Sequence, residues 1–136
     1  MPDIPAKING VTVEFATSVN KSVSQTMING LKHFINQKNP HKHSFSKIYI
    51  NSAYDSHKHP NRHMKQNKVD ISPINIIIIL NGYPKGGAIQ AIVQAIQDSF
   101  ETFSSKRENF GPHLKKKNGK DFKVSGHKDH IHLSVN

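Results

Sequence analysis

Residues 127–136 read H-K-D-H-I-H-L-S-V-N and combine a strand pattern with three histidines and an aspartate. The segment Ile131–Val135 is expected to be a closing strand of a sheet. His130 and His132 are two residues apart, so both side chains lie on one face of such a strand. Asp129 precedes His132 by three residues. Imidazole and carboxylate groups at this spacing indicate a metal site with further polar groups beside it.

A second stretch, 61–70, reads N-R-H-M-K-Q-N-K-V-D and places His63 seven residues before Asp70. On a loop and on the strand after it, these two side chains can face one point. Together with His132 they leave one position of a tetrahedral zinc open, which is typical of a hydrolytic site. Asp129 would then be the general base. Each spacing alone is common by chance in a chain with ten histidines, so the prediction depends on the combination.

The composition predicts one domain over residues 1–136, with 1–16 as an irregular N-terminal arm. A net charge of +10 favours an anionic partner: nucleic acid, anionic lipid or an acidic cell-wall polymer. The chain has no cysteine, which excludes disulfides and thiolate ligands, so a zinc ion would need His, Asp or Glu. The N-terminus lacks the apolar core of a signal peptide, and the apolar run 76–80 is too short to span a membrane.

Hydrophobic periodicity predicts an α+β domain with a mainly antiparallel sheet and two main helices. The first helix is expected over 18–36 with Ser18 as N-cap, and the second over 84–103. A basic loop is expected over 106–120. The expected strands are Val11–Phe15, 47–53, 69–72, a further one within 74–80 before an Asn81-Gly82 turn, 122–124 and Ile131–Val135.

Three stretches together resemble the D-Ala-D-Ala metallopeptidase family, which includes DD-carboxypeptidases, D-Ala-D-Ala dipeptidases and phage L-alanyl-D-glutamate endopeptidases. The family pattern is a strand ending in S-G-Y-R-S, then S-x-H-x-x-G-x-A-x-D, then E/D-x-x-H. The counterparts here are N-S-A-Y-D-S (51–56), N-R-H-M-K-Q-N-K-V-D (61–70) and D-H-I-H (129–132). The resemblance covers roughly residues 44–136 and implies the hedgehog/DD-peptidase fold.

Carried over by position, His63, Asp70 and His132 resemble the family's zinc ligands, with one zinc per chain. Asp129 resembles the catalytic acid/base, and His130 resembles a histidine that acts near the transition state. Three further residues are candidates for substrate binding: Arg62, Tyr54 and His127. For His127 two other interpretations stay open, a side chain that orients Asp129 or a ligand and an ordinary surface histidine.

The sequence departs from the family pattern at three positions. Gln66 replaces a glycine and Lys68 replaces an alanine in the connection between the first two ligands. Asp55 replaces the arginine that helps the family bind substrate or stabilise the oxyanion. These departures motivate an alternative, a catalytically inactive zinc-binding module with a structural or binding role, for example in a phage particle.

The resemblance implies a zinc-dependent peptidase that hydrolyses amide bonds in peptidoglycan stem peptides, similar to an endolysin. We expect a soluble monomer without a membrane span, made in the cytoplasm and acting on the cell wall after lysis or a separate secretion route. A basic nucleic-acid-binding domain is a third hypothesis. It is disfavoured because the chain shows no nucleic-acid motif and has no tryptophan, so specific nucleic-acid binding is not expected.

Overall fold

The computed structural model describes residues 2–36, 45–53 and 67–136, and these form an α+β fold with helices on one face of a sheet. Three α-helices and eight strands are found within the described residues. The helices are α1 (Gln25–Asn36), α2 (Ile79–Gly82) and α3 (Ala88–Glu101). The strands are β1 (Lys7–Ile8), β2 (Val11–Phe15), β3 (Lys47–Ser52), β4 (Lys68–Ile74), β5 (Lys106–Phe110), β6 (Lys115–Lys117), β7 (Lys120–Asp121) and β8 (Ile131–Val135).

The strands form one mixed sheet in the order β1-β2-β3-β4-β8-β5-β6-β7. The pair β2–β3 is parallel, and the other described neighbours are antiparallel. Strand β8 lies between β4 and β5, so the segment that carries His132 is flanked by strands on both sides. This position places the side chains of three adjacent strands next to one another on the face of the sheet opposite the helices.

The core lies between the sheet and the helices α1 and α3. On β8, Ile131, Leu133 and Val135 are buried in this core, and the intervening side chains face away from the helices. The two helices approach closely at Gly30, where an added Cβ would lie 3.1 Å from a ring carbon of Phe100. Burial of the apolar faces of the helices and strands is the main stabilising contribution.

The first helix begins at Gln25, and the prediction that it begins near Ser18 is wrong. Ser24 supplies the cap, because its hydroxyl oxygen accepts the Met27 backbone N–H at 3.1 Å. The preceding residues follow a different path, in which the Ser22 hydroxyl donates to Asp3 at 2.6 Å. Val23 is fully buried without being helical, which explains why its apolar character extended the helical pattern too far.

The strand predicted within 74–80 is also absent. Strand β4 ends at Ile74, and Asn75 and Ile76 both have positive φ, at 49° and 65°. The Asn75 side chain accepts the backbone N–H groups of Ser46 and Lys47, at 2.9 and 3.1 Å, and so fixes a turn beside the start of β3. The chain then enters α2, so the predicted Asn81-Gly82 turn is helical instead.

The second main helix is shorter than the predicted 84–103, because a 3-10 turn at Tyr83–Lys85 ends at Gly86 with φ of 71° before α3 begins. The predicted basic loop at 106–120 instead contains β5 and β6. The strand predicted at 122–124 lies earlier, at Lys120–Asp121. Lysines can occupy β6, the strand next to the β7 edge, because their stems cover the sheet while their ammonium groups reach water.

Within residues 2–36, 45–53 and 67–136, no helix is long and apolar enough to cross a membrane.

Candidate functional site

Asp70 and His132 occupy directly paired positions on the antiparallel strands β4 and β8. Their side chains share the face of the sheet opposite the helices, and His132 Nδ1 lies 2.7 Å from Asp70 Oδ1. Both side chains are mostly buried: 13% of the His132 side chain and 17% of the Asp70 side chain are exposed. Strand pairing therefore brings together two residues that are 62 positions apart in the chain.

Glu108 lies on the other side of His132 and was not predicted from the sequence. Its carboxylate oxygen Oε1 accepts His132 Nε2–H at 3.0 Å and the Ser134 hydroxyl at 3.0 Å. Strand β5 pairs with β8 so that Glu108 is opposite Ser134. No local pattern in K-R-E-N-F marks this glutamate, because its role depends on which strand becomes the neighbour of β5.

The imidazole of His132 and the carboxylates of Asp70 and Glu108 stabilise one another in their ionised forms. Burial alone would lower the pKa of His132, but hydrogen bonds to Asp70 and Glu108, together with their charges, raise it to about 9. The hydrogen bond from His132 lowers the pKa of Glu108 to about 2. Burial raises the pKa of Asp70, and the bond and charge of His132 outweigh it, so the net direction is downward. Without a metal, the centre is an imidazolium between two carboxylates.

Asp129 and His130 border this centre on its exposed side. His130 Nδ1 donates to Asp129 Oδ1 at 2.7 Å, and His130 Nε2 lies 3.9 Å from Asp70 Oδ1. The hydrogen bond from His130 lowers the pKa of Asp129, whose side chain is 58% exposed. The site therefore contains an ionised, water-accessible carboxylate held by an imidazole that faces Asp70.

His127 and Phe110 complete the centre as an aromatic wall. The Phe110 ring stacks on His132 with centroids 5.6 Å apart and planes at 15°, and His127 packs 5.1 Å from Phe110 and 5.0 Å from His130. Burial, followed by the charges of His130 and His132, lowers the pKa of His127 and favours its neutral form. Its Nδ1 atom is buried and has no hydrogen-bond partner within the described structure.

Several predicted site residues lie outside the described residues: His63, Arg62 and Tyr54, together with the departures Asp55 and Gln66. The third departure, Lys68, is described and begins β4 opposite Ser134. Its positive charge helps to lower the pKa of Asp70. A lysine at this position therefore favours the ionised carboxylate that a metal would require.

The described residues could supply two metal ligands, Asp70 and His132. Over 2–36, 45–53 and 67–136, no three His, Asp or Glu side chains are arranged to hold a metal ion together. The proposed ligand set therefore needs His63. The donor types fit zinc, which binds imidazole nitrogen and carboxylate oxygen. Glu108 also fits the common arrangement in which a carboxylate holds the second nitrogen of a ligating histidine.

No family model, curated protein or solved structure matches this chain.

Proposed function

We propose that this chain is a zinc-dependent peptidase that hydrolyses amide bonds in peptidoglycan stem peptides, with a hedgehog/DD-peptidase-like arrangement of its sheet and two main helices. The observation that carries the proposal is the pairing of Asp70 with His132 across β4 and β8, at 2.7 Å, with Glu108 on the far nitrogen of His132. Both residues come from motifs that resemble the family's ligand motifs, and His63 is the proposed third ligand.

In this proposal Asp129 accepts a proton from the attacking water. Its lowered pKa keeps it ionised at neutral pH, and its exposure lets water reach it. The hydrogen bond from His130 Nδ1 holds the carboxylate at the border of the centre. Zinc, when bound, supplies Lewis acidity for the water and for the scissile carbonyl. The proton taken by Asp129 then passes to the leaving amine.

His130 is proposed to stabilise negative charge that develops on the scissile carbonyl oxygen. Its Nε2 atom faces the Asp70 side of the centre at 3.9 Å, while its Nδ1 atom is held by Asp129. In the imidazolium form, with Nδ1–H held by Asp129, the ring presents its Nε2–H donor in a constant direction, which is what electrostatic stabilisation of a transition state requires. His127 is proposed to contact substrate at the edge of the same wall.

The net charge of +10 supports an anionic surface, such as a cell wall, as the place of action. Attraction of this kind weakens as salt screens the charges. We propose that the protein acts as a monomer on the wall after release by lysis or by a separate route.

The first test is metal content by mass spectrometry on untagged protein supplied with zinc. We expect one zinc per chain in the wild type and in Asp129→Ala, and loss of zinc in His63→Ala and His132→Ala. His33→Ala is the matched control, because this histidine lies on α1 within hydrogen-bond distance of the Thr102 hydroxyl, on the helical side of the sheet, and its loss should leave the zinc in place. Absence of stoichiometric zinc from the wild type would contradict the proposal.

The second test is digestion of purified peptidoglycan of several chemotypes, with new amine ends as the readout. We expect release of amine ends by the wild type, and a loss of roughly 100-fold or more in Asp129→Asn despite full zinc occupancy. A wild type that binds zinc and releases no amine from any wall would overturn the enzyme proposal in favour of the inactive zinc-binding module. Affinity for nucleic acid that is indifferent to chelator would favour the third hypothesis instead.

A further inference from the structure

A groove of about 510 Å³ lies beside the candidate metal centre, between two segments of the chain. One wall is the β5–β6 connection and the start of β6, residues 111–115, and the other is residues 121–123. We call it the hairpin groove. None of its lining residues belongs to the proposed zinc-ligand or catalytic set, so its role needs a separate explanation.

The first wall of the hairpin groove is fixed by a buried glutamine. Gln97 on α3 is fully buried, and its Oε1 atom accepts the backbone N–H groups of His113 and Leu114 at 3.0 and 3.1 Å. Its Nε2 atom donates to the Leu114 carbonyl and to Asn109 Oδ1, each at 3.0 Å. Three of these hydrogen bonds hold the connection and the fourth ties Gln97 to β5, so the wall keeps one shape, which is a property of a preformed binding surface.

The hairpin groove connects to the metal centre through stacked rings. Phe122, which lines the groove and is 41% exposed, stacks on Phe110 at 5.7 Å, and Phe110 stacks on His132 at 5.6 Å. About three residues of an extended peptide span the two centroid distances, from Phe122 to Phe110 and from Phe110 to His132. A peptide whose scissile bond lies at the centre can therefore reach the groove with a side group a few residues away.

The charge of the hairpin groove is positive. Lys115 and Lys123 line it, and among the described residues neither forms an ion pair with a carboxylate. The Lys115 ammonium donates to the Val124 carbonyl at 2.9 Å, which holds it at the wall while leaving further N–H donors. The acidic lining residue, Asp121, is 93% exposed and pairs with Lys116 at 3.4 Å. Residues 106–128 contain eight lysines and arginines against two acidic residues.

We propose that the hairpin groove is a subsite that binds a carboxylate of the peptide substrate, about three residues from the scissile bond, through Lys115 and Lys123. The Phe122 ring contacts the aliphatic part of the residue that bears the carboxylate. This assignment rests on the proposed peptidase function for the identity of the substrate as a peptide. The preference for a carboxylate rests on the lysines and the fixed wall of the groove.

The test compares two synthetic stem pentapeptides that differ at one group, a free D-glutamate α-carboxylate in one and its carboxamide in the other. Dissociation constants are measured by isothermal titration calorimetry in the zinc-loaded Asp129→Asn protein, so that the peptides survive. We expect the free acid to bind about fivefold more tightly, the size of effect that charge-assisted hydrogen bonds at a half-exposed site give. Backbone amide shifts should change at Gly111 and Leu114.

Two double variants in the same background locate the effect. Lys115→Gln with Lys123→Gln should abolish the preference for the free acid. Lys32→Gln with Lys85→Gln, which removes the same charge at exposed lysines of the helical side, should retain it. Equal affinity for the two peptides, or a preference that persists in the groove variant, would overturn the proposal.

A third measurement separates this proposal from other anionic ligands and from the proposed function. If a single-stranded oligonucleotide binds through Lys115 and Lys123 while neither peptide binds, the groove is a nucleic-acid site and the proposal fails. If the wild type binds the free acid preferentially but releases no amine from peptidoglycan, the subsite stands and the peptidase function fails.

Discussion

Glu108 Oε1 lies 3.0 Å from His132 Nε2, diagonally across the β5–β8 pair, and the same oxygen accepts the Ser134 hydroxyl. The glutamate therefore fixes the ring orientation of His132 and leaves Nδ1 directed at Asp70. Carboxylates in this position orient a ligating histidine and make it more basic.

Replacing Glu108 with glutamine should weaken zinc binding about 10- to 100-fold, because the amide holds the ring less strongly and does not raise its basicity. Zinc affinity is measured by competition with a chelator of known affinity. Glu14→Gln is the control, since Glu14 forms a surface pair with Lys47 and its loss should leave zinc affinity unchanged. An unchanged affinity in Glu108→Gln would show that the glutamate does not position His132.

The metal-free protein should lose stability between about pH 6.5 and about pH 9. The pKa of His132 is raised from 6.5 to about 9 in the fold, so its contribution is fully present below 6.5 and is lost as pH rises through 9. The loss should be on the order of 3 kcal/mol. Urea unfolding across this range measures it, and His132→Asn should give a flatter curve. Parallel curves for the two proteins would contradict the interpretation.

Gly111→Ala should destabilise the protein by about 1–3 kcal/mol. A Cβ at Gly111 would lie 2.6 Å from Gln97 Oε1, so the buried glutamine would have to move and break its hydrogen bonds. The free energy of unfolding is measured by urea denaturation. In a Gln97→Ala background the obstructing atoms are gone, and the same Gly111→Ala change should cost less than about 1 kcal/mol. Equal costs in the two backgrounds would rule out this steric explanation.

Ile76→Asn should stabilise the protein by about 1 kcal/mol, because asparagine tolerates a left-handed backbone that a β-branched residue does not. Ile76 has φ of 65° and is 78% exposed, so little packing is lost. Ile78→Asn is the matched control: Ile78 is also exposed, at 51%, but its backbone is extended with φ of −65°. The change in stability of both variants is measured by thermal unfolding. A larger gain in stability from Ile78→Asn than from Ile76→Asn would contradict the prediction.

The prediction that Asp70 and His132 each lie on a strand is confirmed, whereas several predicted element boundaries are wrong. The apolar pattern of residues 69–72 placed Asp70 on a strand, and the pattern of residues 131–135 placed His132 on another. Strand alternation gave His130 and His132 a common face. Their roles as ligand or catalyst stay predictions. Glu108 could not be found in this way, because its contact with His132 depends on the pairing of β5 with β8.

Boundary errors arose where tertiary contacts overrode local pattern. Val23 is buried in the core although it precedes the helix. Its apolar character therefore made the predicted helix begin before Gln25, where α1 starts. In the basic segment, the lysine run concealed strand β6, although Asn118-Gly119 beside it carried a hairpin signal. The structure gives both residues positive φ, at 53° and 79°, in the turn between β6 and β7.

Strand β8 joins two parts of the described sheet, β1–β4 on one side and β5–β7 on the other. Asp70 belongs to the first part, Glu108 to the second, and His132 to the strand between them. A ligand that binds Asp70 and His132 together therefore ties β4 to β8, and the hydrogen bond from His132 to Glu108 extends that tie to β5. Binding at the centre should therefore stabilise the middle strands of the described sheet, which slower exchange of the β8 amide hydrogens would report.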